Sequence, residues 1–346
     1  MRTSLCLALF AILVSACGNG AEEQGKKPAT GGFAGALAEV EQRILAEPDK
    51  ATHFAERARL YEGVDSVRLA ESDWKRAIAL DSASATWHIG LGDLYYRKVR
   101  LPPAEEQFLK AIALDPVNTE ARLKLSEMKL LQHQHKEAMT LANEALRIDP
   151  LQPRGYYLKG WIHAEAGDTA LSISSYQTAV EQDPQFYAAY MALGLLHAAM
   201  HDPLALQYYN SALEIQPTSV EALYDKAIFA QDHGQDSLAI MCYDRIKAIE
   251  PAYPLAWYNT GYVLLEHKHD LRAARTQFNK AIYLLPDYTQ AYYSRGVTYE
   301  LEGRLDSALK DFKQALALAP GFTLAAEGLS RLQAKGVHVS AHSRTS

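Results

Sequence analysis

The sequence predicts an all-α fold built from about eight copies of one 34-residue unit, and three periodic features support this prediction. Prolines recur at a nearly constant interval, two positions of every copy hold small residues, and a third position is almost always aromatic. The prolines lie at 48, 116, 150, 184, 217, 251, 286 and 320, with Ser82 in the place of the one that is missing from the series. Repetition at a fixed period of this length is typical of repeat architectures and decides the fold before any local pattern does.

Positions within the unit are numbered from residue 51, so that 51–84 is the first copy. Position 8 holds Ala58, Gly92, Ser126, Gly160, Gly194, Ala227, Gly261 and Gly296, and position 20 holds Ala70, Ala104, Ala138, Ser172, Ala205, Ala239, Ala274 and Ala308. Position 24 holds Trp74, Phe108, Tyr176, Tyr209, Tyr243, Phe278 and Phe312 in seven of the eight copies. Similar segments begin at this aromatic position, for example WKRAIALDS, FLKAIALDP and FKQALALAP.

These residues and their spacing resemble the tetratricopeptide repeat family. The resemblance implies two antiparallel helices per unit, often closed by a proline, stacked into a right-handed α-solenoid of eight repeats over residues 51–322. A glycine inside a helix costs about 1 kcal/mol relative to alanine, so the small residues at position 8 indicate close approach of the first helix to the second. The proline stops the second helix because it disfavours helical angles in the residue before it.

The two ends of such a stack need a cover. We expect a capping helix within 34–50, a second within 323–335, and a disordered tail over 336–346. Repeat three departs from the pattern, with Arg122, Lys129 and Ala142 where bulky residues are usual. We predict that it is the weakest unit of the stack.

The first residues carry a separate signal. MRTSLCLALFAILVSAC has a basic start and an apolar run that is too short to span a bilayer. Val14-Ser15-Ala16-Cys17 resembles the lipobox of bacterial lipoproteins, which implies removal of residues 1–16 and acylation of Cys17; the alternative is an ordinary signal peptide. Residues 17–33 are rich in glycine and polar residues and are predicted to be a flexible tether.

Composition and motifs argue against several classes of function. The net charge of −6 and pI of about 6.1 leave no basic field for nucleic acid. No phosphate loop, HExxH motif or nucleophile elbow occurs, so we expect no enzyme and no cofactor. Histidine pairs occur at His133/His135, His267/His269 and His197/His201, but no third ligand is evident in the sequence, and no metal is expected. Cys242 is predicted to be a buried, unreactive residue.

Specificity is expected on first-helix positions that packing leaves free, as in other repeat proteins. In the family, positions 5 and 9 typically line the concave face. In repeats one to three these pairs read Ala55/Arg59, Ile89/Asp93 and Leu123/Glu127, whereas from repeat four they become apolar or aromatic. The predicted peptide-binding groove consists of Tyr157, Trp161, Met191, Leu195, Tyr224, Ile228, Tyr258, Tyr262, Tyr293 and Val297. The alternative is that these rings pack on neighbouring helices.

The sequence therefore predicts a lipid-anchored, non-enzymatic scaffold of a bacterial envelope that binds a protein or peptide with apolar side chains. The outer membrane is the expected location. The paired Lys and Asn with which some family members clamp a terminal carboxylate are absent; Asn259 alone does not form that clamp. A narrower alternative is an assembly factor for outer-membrane or pilus proteins. Histidine-based metal binding or catalysis, and a structural role through self-association, are further alternatives.

Overall fold

The computed structural model describes residues 32–338, and within this range it contains 18 α-helices and no strand. The signal peptide, Cys17, nearly all of the predicted tether and the end of the predicted tail lie outside the described residues. The helices are α1 (Gly32–Ala46), α2 (Ala51–Gly63), α3 (Val67–Leu80), α4 (Ala85–Arg97), α5 (Leu101–Leu114), α6 (Thr119–Leu131), α7 (His135–Ile148), α8 (Pro153–Glu165), α9 (Thr169–Gln182), α10 (Tyr187–Ala199), α11 (Leu204–Ile215), α12 (Val220–Asp232), α13 (Asp236–Ile249), α14 (Pro254–Glu266), α15 (Leu271–Leu284), α16 (Thr289–Leu301), α17 (Leu305–Leu318) and α18 (Thr323–Ala334).

The chain divides into two units, Met1–Ala189 and Tyr190–Ser346. Taken by itself, each unit is a stack of helix pairs of the α-solenoid class, as the period of the sequence predicts. None of the helices in the described part of the chain is both long enough and apolar enough to cross a bilayer.

The two helices of a pair are held together by the small residue at position 8 and the ring at position 24. A Cβ atom on Gly160 would lie 2.6 Å from the ring of Tyr176, and a Cβ on Gly261 would lie 2.7 Å from the ring of Phe278. Non-bonded carbon atoms do not approach each other this closely, so glycine lets the first helix approach the ring of the second. The close approach that the sequence predicts is therefore confirmed.

The small residue at position 20 lies at the centre of each pair. All eight of these side chains have 0% exposure: Ala70, Ala104, Ala138, Ser172, Ala205, Ala239, Ala274 and Ala308. The one hydroxyl among them, on Ser172, donates a hydrogen bond of 2.8 Å to the carbonyl oxygen of Gly160. Its polarity is thereby satisfied, and it fits where alanine stands in the other repeats.

The turn between the two helices contains one residue in the left-handed conformation at the same place in each repeat. These residues are Asp65, Val99, His133, Gly167, His201, Gly234, His269 and Gly303, with φ between 53° and 77°. In repeat four, the N–H groups of Gly167 and Asp168 donate to the carbonyls of Ala164 and His163, which closes the end of α8. Glycine, which adopts positive φ more easily than residues with a side chain, holds this place in three of the eight repeats.

The first unit begins with α1, whose Val40 is buried and whose Ile44 packs on the core cluster that includes Trp74 and Phe108.

Two charged residues of repeat three, Arg122 and Lys129, are also buried, and both form ion pairs. Arg122 lies 3.5 Å from Glu144, and the Nζ of Lys129 lies 2.6 Å from Oε1 of Glu105. These ion pairs occupy the positions where other repeats place bulky apolar side chains.

The second unit ends with α18, which covers the last helix pair. Gly328 approaches the Phe312 ring, and a Cβ there would lie 2.8 Å from it. Leu332 is fully buried in the same cluster as Phe312. The ring of the last repeat is therefore enclosed by its own first helix, through Gly296, and by the helix that follows.

Candidate functional site

The ten predicted groove residues divide between the two units and differ in burial. Tyr157 and Trp161 belong to the first unit, and the other eight belong to the second. Tyr157, Trp161 and Met191 are buried, and the remaining seven are partly buried. Trp161, which the sequence analysis includes in the predicted groove, is only 3% exposed and is a core residue. The indole N–H of Trp161 has no hydrogen-bond partner in the described part of the chain.

The tyrosines at position 5 are buried or partly buried because each one lies between two other rings. The Tyr258 ring centroid is 5.7 Å from that of Phe278 and 4.9 Å from that of Tyr288. The same arrangement recurs as Tyr157 with Tyr176 and Phe186, Tyr224 with Tyr243 and Tyr253, and Tyr293 with Phe312 and Phe322. The second partner comes from the segment that leads into the next repeat. Packing on neighbouring helices, the alternative left open by the sequence, thus accounts for part of the aromatic pattern.

In the second unit, polar residues follow these tyrosines at position 6. They are Asp225, Asn259 and Ser294 in repeats six, seven and eight. The Nδ2 of Asn259 donates to the hydroxyl of Tyr224 at 3.3 Å, and the hydroxyls of Tyr258 and Ser294 lie 3.4 Å apart. The face therefore combines partly buried rings with oriented hydroxyl and amide groups.

Asp225 is the exceptional member of this polar row, because its Oδ2 atom is buried without a hydrogen-bond partner among the described residues. Burial, and then the charge of Glu221, raises the pKa of Asp225 to about 7. Burial also raises the pKa of the neighbouring Tyr224, and the Asp225 charge adds to this effect. A carboxylate in such surroundings lacks the compensation that buried charges normally have, and it favours a positively charged ligand group.

In the first unit, the acidic residues at position 9 are paired with basic side chains. Asp93, at position 9 of repeat two, accepts a hydrogen bond of 2.6 Å from Lys124. Glu127, at the same position of repeat three, is buried and paired with Arg154. Position 9 in repeats two and three thus takes part in ion pairs between repeats, so the charge compensation lacking at Asp225 is present there.

The other candidates from the sequence are the lone cysteine and the histidine pairs. His197 is buried, and its Nδ1 lies 2.8 Å from Oδ2 of Asp202. Cys242 is fully buried, as predicted, and burial raises the pKa of its thiol. The expectation that no third ligand joins a histidine pair is wrong for one pair, because Glu165 lies beside His133 and His135.

Sequence reasoning missed Asp225 and the rings of the linking segments. A signal for both was present. Position 6 is polar in three consecutive repeats of the second unit, and an aromatic residue stands two places after the prolines at 184, 251, 286 and 320. The first pattern indicates a shared polar row, and the second indicates a ring at each of these four repeat junctions.

Comparison with known proteins agrees with this architecture. Models of the tetratricopeptide repeat match residues 55–119, 100–153, 157–220 and 289–322, which together make up more than half of the chain. Human protein O-mannosyl-transferase TMTC3 is 23% identical over 282 residues, which are 79% of this chain and 30% of TMTC3. DnaJ homolog subfamily C member 3 of Gallus gallus is 22% identical over 343 residues, 90% of this chain and 68% of that protein.

Among solved structures, the human IFIT1 dimer with PPP-AAAA is similar with a TM-score of 0.52 and 17% identity, over 84% of this chain and 70% of IFIT1. This likeness supports the fold alone. The chain spans about a third of the length of the first curated relatives that it matches. The transferase activity in the name of TMTC3 belongs to that protein. The repeats form the kind of α-solenoid that serves as a scaffold for protein–protein interaction, and the chain belongs to the tetratricopeptide repeat family.

Proposed function

We propose that this protein is a non-enzymatic, lipid-anchored scaffold of a bacterial envelope that binds a peptide segment of a partner protein. The anchor is proposed from the lipobox-like Val14-Ser15-Ala16-Cys17 and the apolar run before it. Several acyl chains on Cys17 would hold the protein stably at a membrane, since each buried methylene contributes about 0.8 kcal/mol. The outer membrane is the proposed location.

The proposed binding face lies on the first helices of repeats six to eight, within the second unit. Tyr224, Ile228, Tyr258, Tyr262, Tyr293 and Val297 are all partly exposed there. Apolar side chains of a peptide can pack against these rings, and tyrosine rings also attract cations. Met191 and Leu195, from repeat five, belong to the same predicted set.

The unpartnered carboxyl of Asp225 is the observation that carries this proposal. A peptide that offers a lysine, an arginine or a free amino group beside its apolar side chains would supply the missing cation. The tyrosines around Asp225 would contact the apolar stem of the same side chain. The ligand class is therefore a mixed apolar and basic peptide, which is narrower than the apolar peptide that the sequence suggests.

Site-specific photocrosslinking in the native cell tests the proposal. A photoreactive phenylalanine analogue replaces Tyr262 on the binding face, or Tyr283 on α15 as a matched control. Tyr283 is 76% exposed and lies on the second helix of repeat seven. We expect one discrete crosslinked protein from position 262, none from position 283, and loss of the crosslink when Asp225→Asn is added. Equal products from both positions would refute the binding face.

The same experiment addresses the narrower alternative of an assembly factor. Mass spectrometry of the crosslinked product identifies the partner. An outer-membrane or pilus subunit would favour assembly, whereas a second copy of this chain would favour self-association.

A further inference from the structure

Three side chains with metal-binding atoms converge in the first unit, outside the proposed peptide face. His133 lies in the turn between α6 and α7, His135 is the first residue of α7, and Glu165 is the last residue of α8. One ligand atom of each lies within 4.8 Å of the other two. The Nδ1 atom of His133 is 3.9 Å from Oε2 of Glu165. Within the residues that the structure describes, no other group of three histidine, cysteine or acidic side chains meets this spacing.

The backbone at His133 adopts an unusual conformation for a residue with a side chain. Its φ is 57°, at the turn position that holds Gly167, Gly234 and Gly303 in repeats four, six and eight. Residues other than glycine with a left-handed backbone cost of the order of 1 kcal/mol or more, although histidine tolerates it better than most. The chain thus holds an imidazole, rather than glycine, at a place that brings it beside Glu165.

His135 provides an independent indication of a missing partner. Its Nδ1 atom is buried and has no hydrogen-bond partner among the described residues. A buried nitrogen that loses water without gaining a partner is unfavourable by about 1–3 kcal/mol. A metal ion bound at this nitrogen would remove that penalty.

We propose that His133, His135 and Glu165 form a binding site for a divalent transition-metal ion of the zinc type. Two imidazoles and one carboxylate are a ligand set that zinc accepts, with bonds of about 2.0–2.2 Å. Tetrahedral bonds of that length place ligand atoms about 3.3–3.6 Å apart. Small side-chain rotations close the remaining gap from the present separations. Magnesium and calcium prefer oxygen ligands and are disfavoured here.

The second histidine pair of the same kind is an internal comparison. His269 also has a left-handed backbone, with φ of 53°. Its partner His267 precedes it by two residues, whereas in repeat three His135 follows the left-handed His133 by two residues. The Nδ1 atom of His267 lies 2.6 Å from Oδ1 of Asp236. The residue that corresponds to Glu165 in the following repeat is Leu301. The turn of repeat seven therefore has the two histidines without the carboxylate from the next repeat.

A bound ion would connect the turn of repeat three to the end of α8 in repeat four. Repeat three is the unit in which Arg122 and Lys129 occupy buried positions. An ion that binds the folded state and not the unfolded state stabilises the fold in proportion to the logarithm of its concentration above Kd. Zinc should therefore raise the thermal midpoint of the full chain.

The test measures zinc bound to the chelator-treated full-length protein, by titration calorimetry and elemental analysis, with magnesium as the comparison ion. His133→Gly removes one ligand and should fold, because glycine occupies this turn position in three other repeats. Glu165→Gln removes the carboxylate charge at nearly constant volume. His269→Gly is the matched control, because it makes the same change at the equivalent turn of repeat seven.

We expect one zinc ion per wild-type chain, no comparable magnesium binding, and an unchanged result for His269→Gly. His133→Gly and Glu165→Gln should each weaken zinc binding by about tenfold or more and abolish the zinc-dependent rise in Tm. Absence of stoichiometric zinc in the wild-type chain would overturn the proposal. So would wild-type affinity in both ligand variants, because the ion would then be bound elsewhere.

Discussion

The buried carboxyl of Asp225 makes a quantitative prediction about stability. Its pKa in the folded protein is about 7, raised by burial and by Glu221 from an ordinary value of 3.8. As pH rises, the unfolded chain therefore ionises first, at about pH 4, while the folded chain keeps its proton until about pH 7. Stability is lost across this interval, and the loss is complete above pH 7.

The magnitude follows from the separation of the two pKa values. One pH unit corresponds to about 1.4 kcal/mol, so ionised Asp225 costs the folded state on the order of 4 kcal/mol above pH 7. Between pH 5 and pH 8 the wild-type chain should lose about 3 kcal/mol through this group. Asp225→Asn cannot ionise and should not show that loss. Its own cost of burying an unpaired amide, about 1–3 kcal/mol, is the same at both pH values and cancels in the comparison.

Urea unfolding of both proteins at pH 5 and pH 8 measures the effect. Trp257 is the only tryptophan of residues 190–346, and its fluorescence reports on the second unit. We expect the free energy of unfolding of Asp225→Asn, relative to wild type, to improve by about 2–3 kcal/mol from pH 5 to pH 8. A relative stability that stays within about 0.5 kcal/mol between the two pH values would refute the reasoning. The m value, which is the slope of the unfolding free energy against urea concentration, should be equal in both proteins. An altered m value would indicate a changed unfolding reaction.

Three further predictions concern the framework. Gly261→Ala should destabilise the protein by about 1–3 kcal/mol in urea unfolding, because the added methyl group would meet the ring of Phe278. Gly321→Ala is the control, and it should change the urea midpoint little because the space around Gly321 is open. Trp161→Ala should cost about 3–5 kcal/mol in thermal or urea unfolding because it leaves a cavity in the core; a fully stable variant would show that the ring is not core. In hydrogen exchange of the zinc-free protein, residues 119–150 should be the least protected of the repeats, and the strongest protection there would contradict the predicted weakness of repeat three.

The fold could be predicted because its determinants recur in every repeat. The glycine and ring of a pair such as Gly160 and Tyr176 contact each other inside one unit, and the alanines at position 20 are buried in all eight repeats. A packing contact that recurs along the chain produces a periodic pattern in the sequence. The tetratricopeptide resemblance and the physical pattern therefore identify the same residues.

The candidate sites were less predictable because they depend on contacts between repeats that occur once. Glu165 is thirty residues beyond His135, and the sequence does not indicate how far the end of one first helix lies from the preceding turn. The burial of Trp161 was also not predictable from the sequence. Position 9 is open or closed according to its neighbours in adjacent repeats, and periodicity within one repeat carries no information about them.

Position 6 and the left-handed turn position vary more in chemistry than positions 8, 20 and 24. Position 8 and position 20 accept only small residues, and position 24 is a ring in seven repeats, so a change there alters folding before it alters binding. Position 6 changes from Leu158 in repeat four to Asp225 in repeat six, and the left-handed turn position holds glycine in three repeats and histidine in three others. A residue that keeps a conformational or electrostatic cost, where a less costly residue stands in other repeats, favours the hypothesis of a compensating interaction. We propose a basic group of the peptide partner as that interaction at Asp225, and a metal ion shared with Glu165 as that interaction at His133. Each proposed site can be removed by a substitution that repeats of the same chain already tolerate.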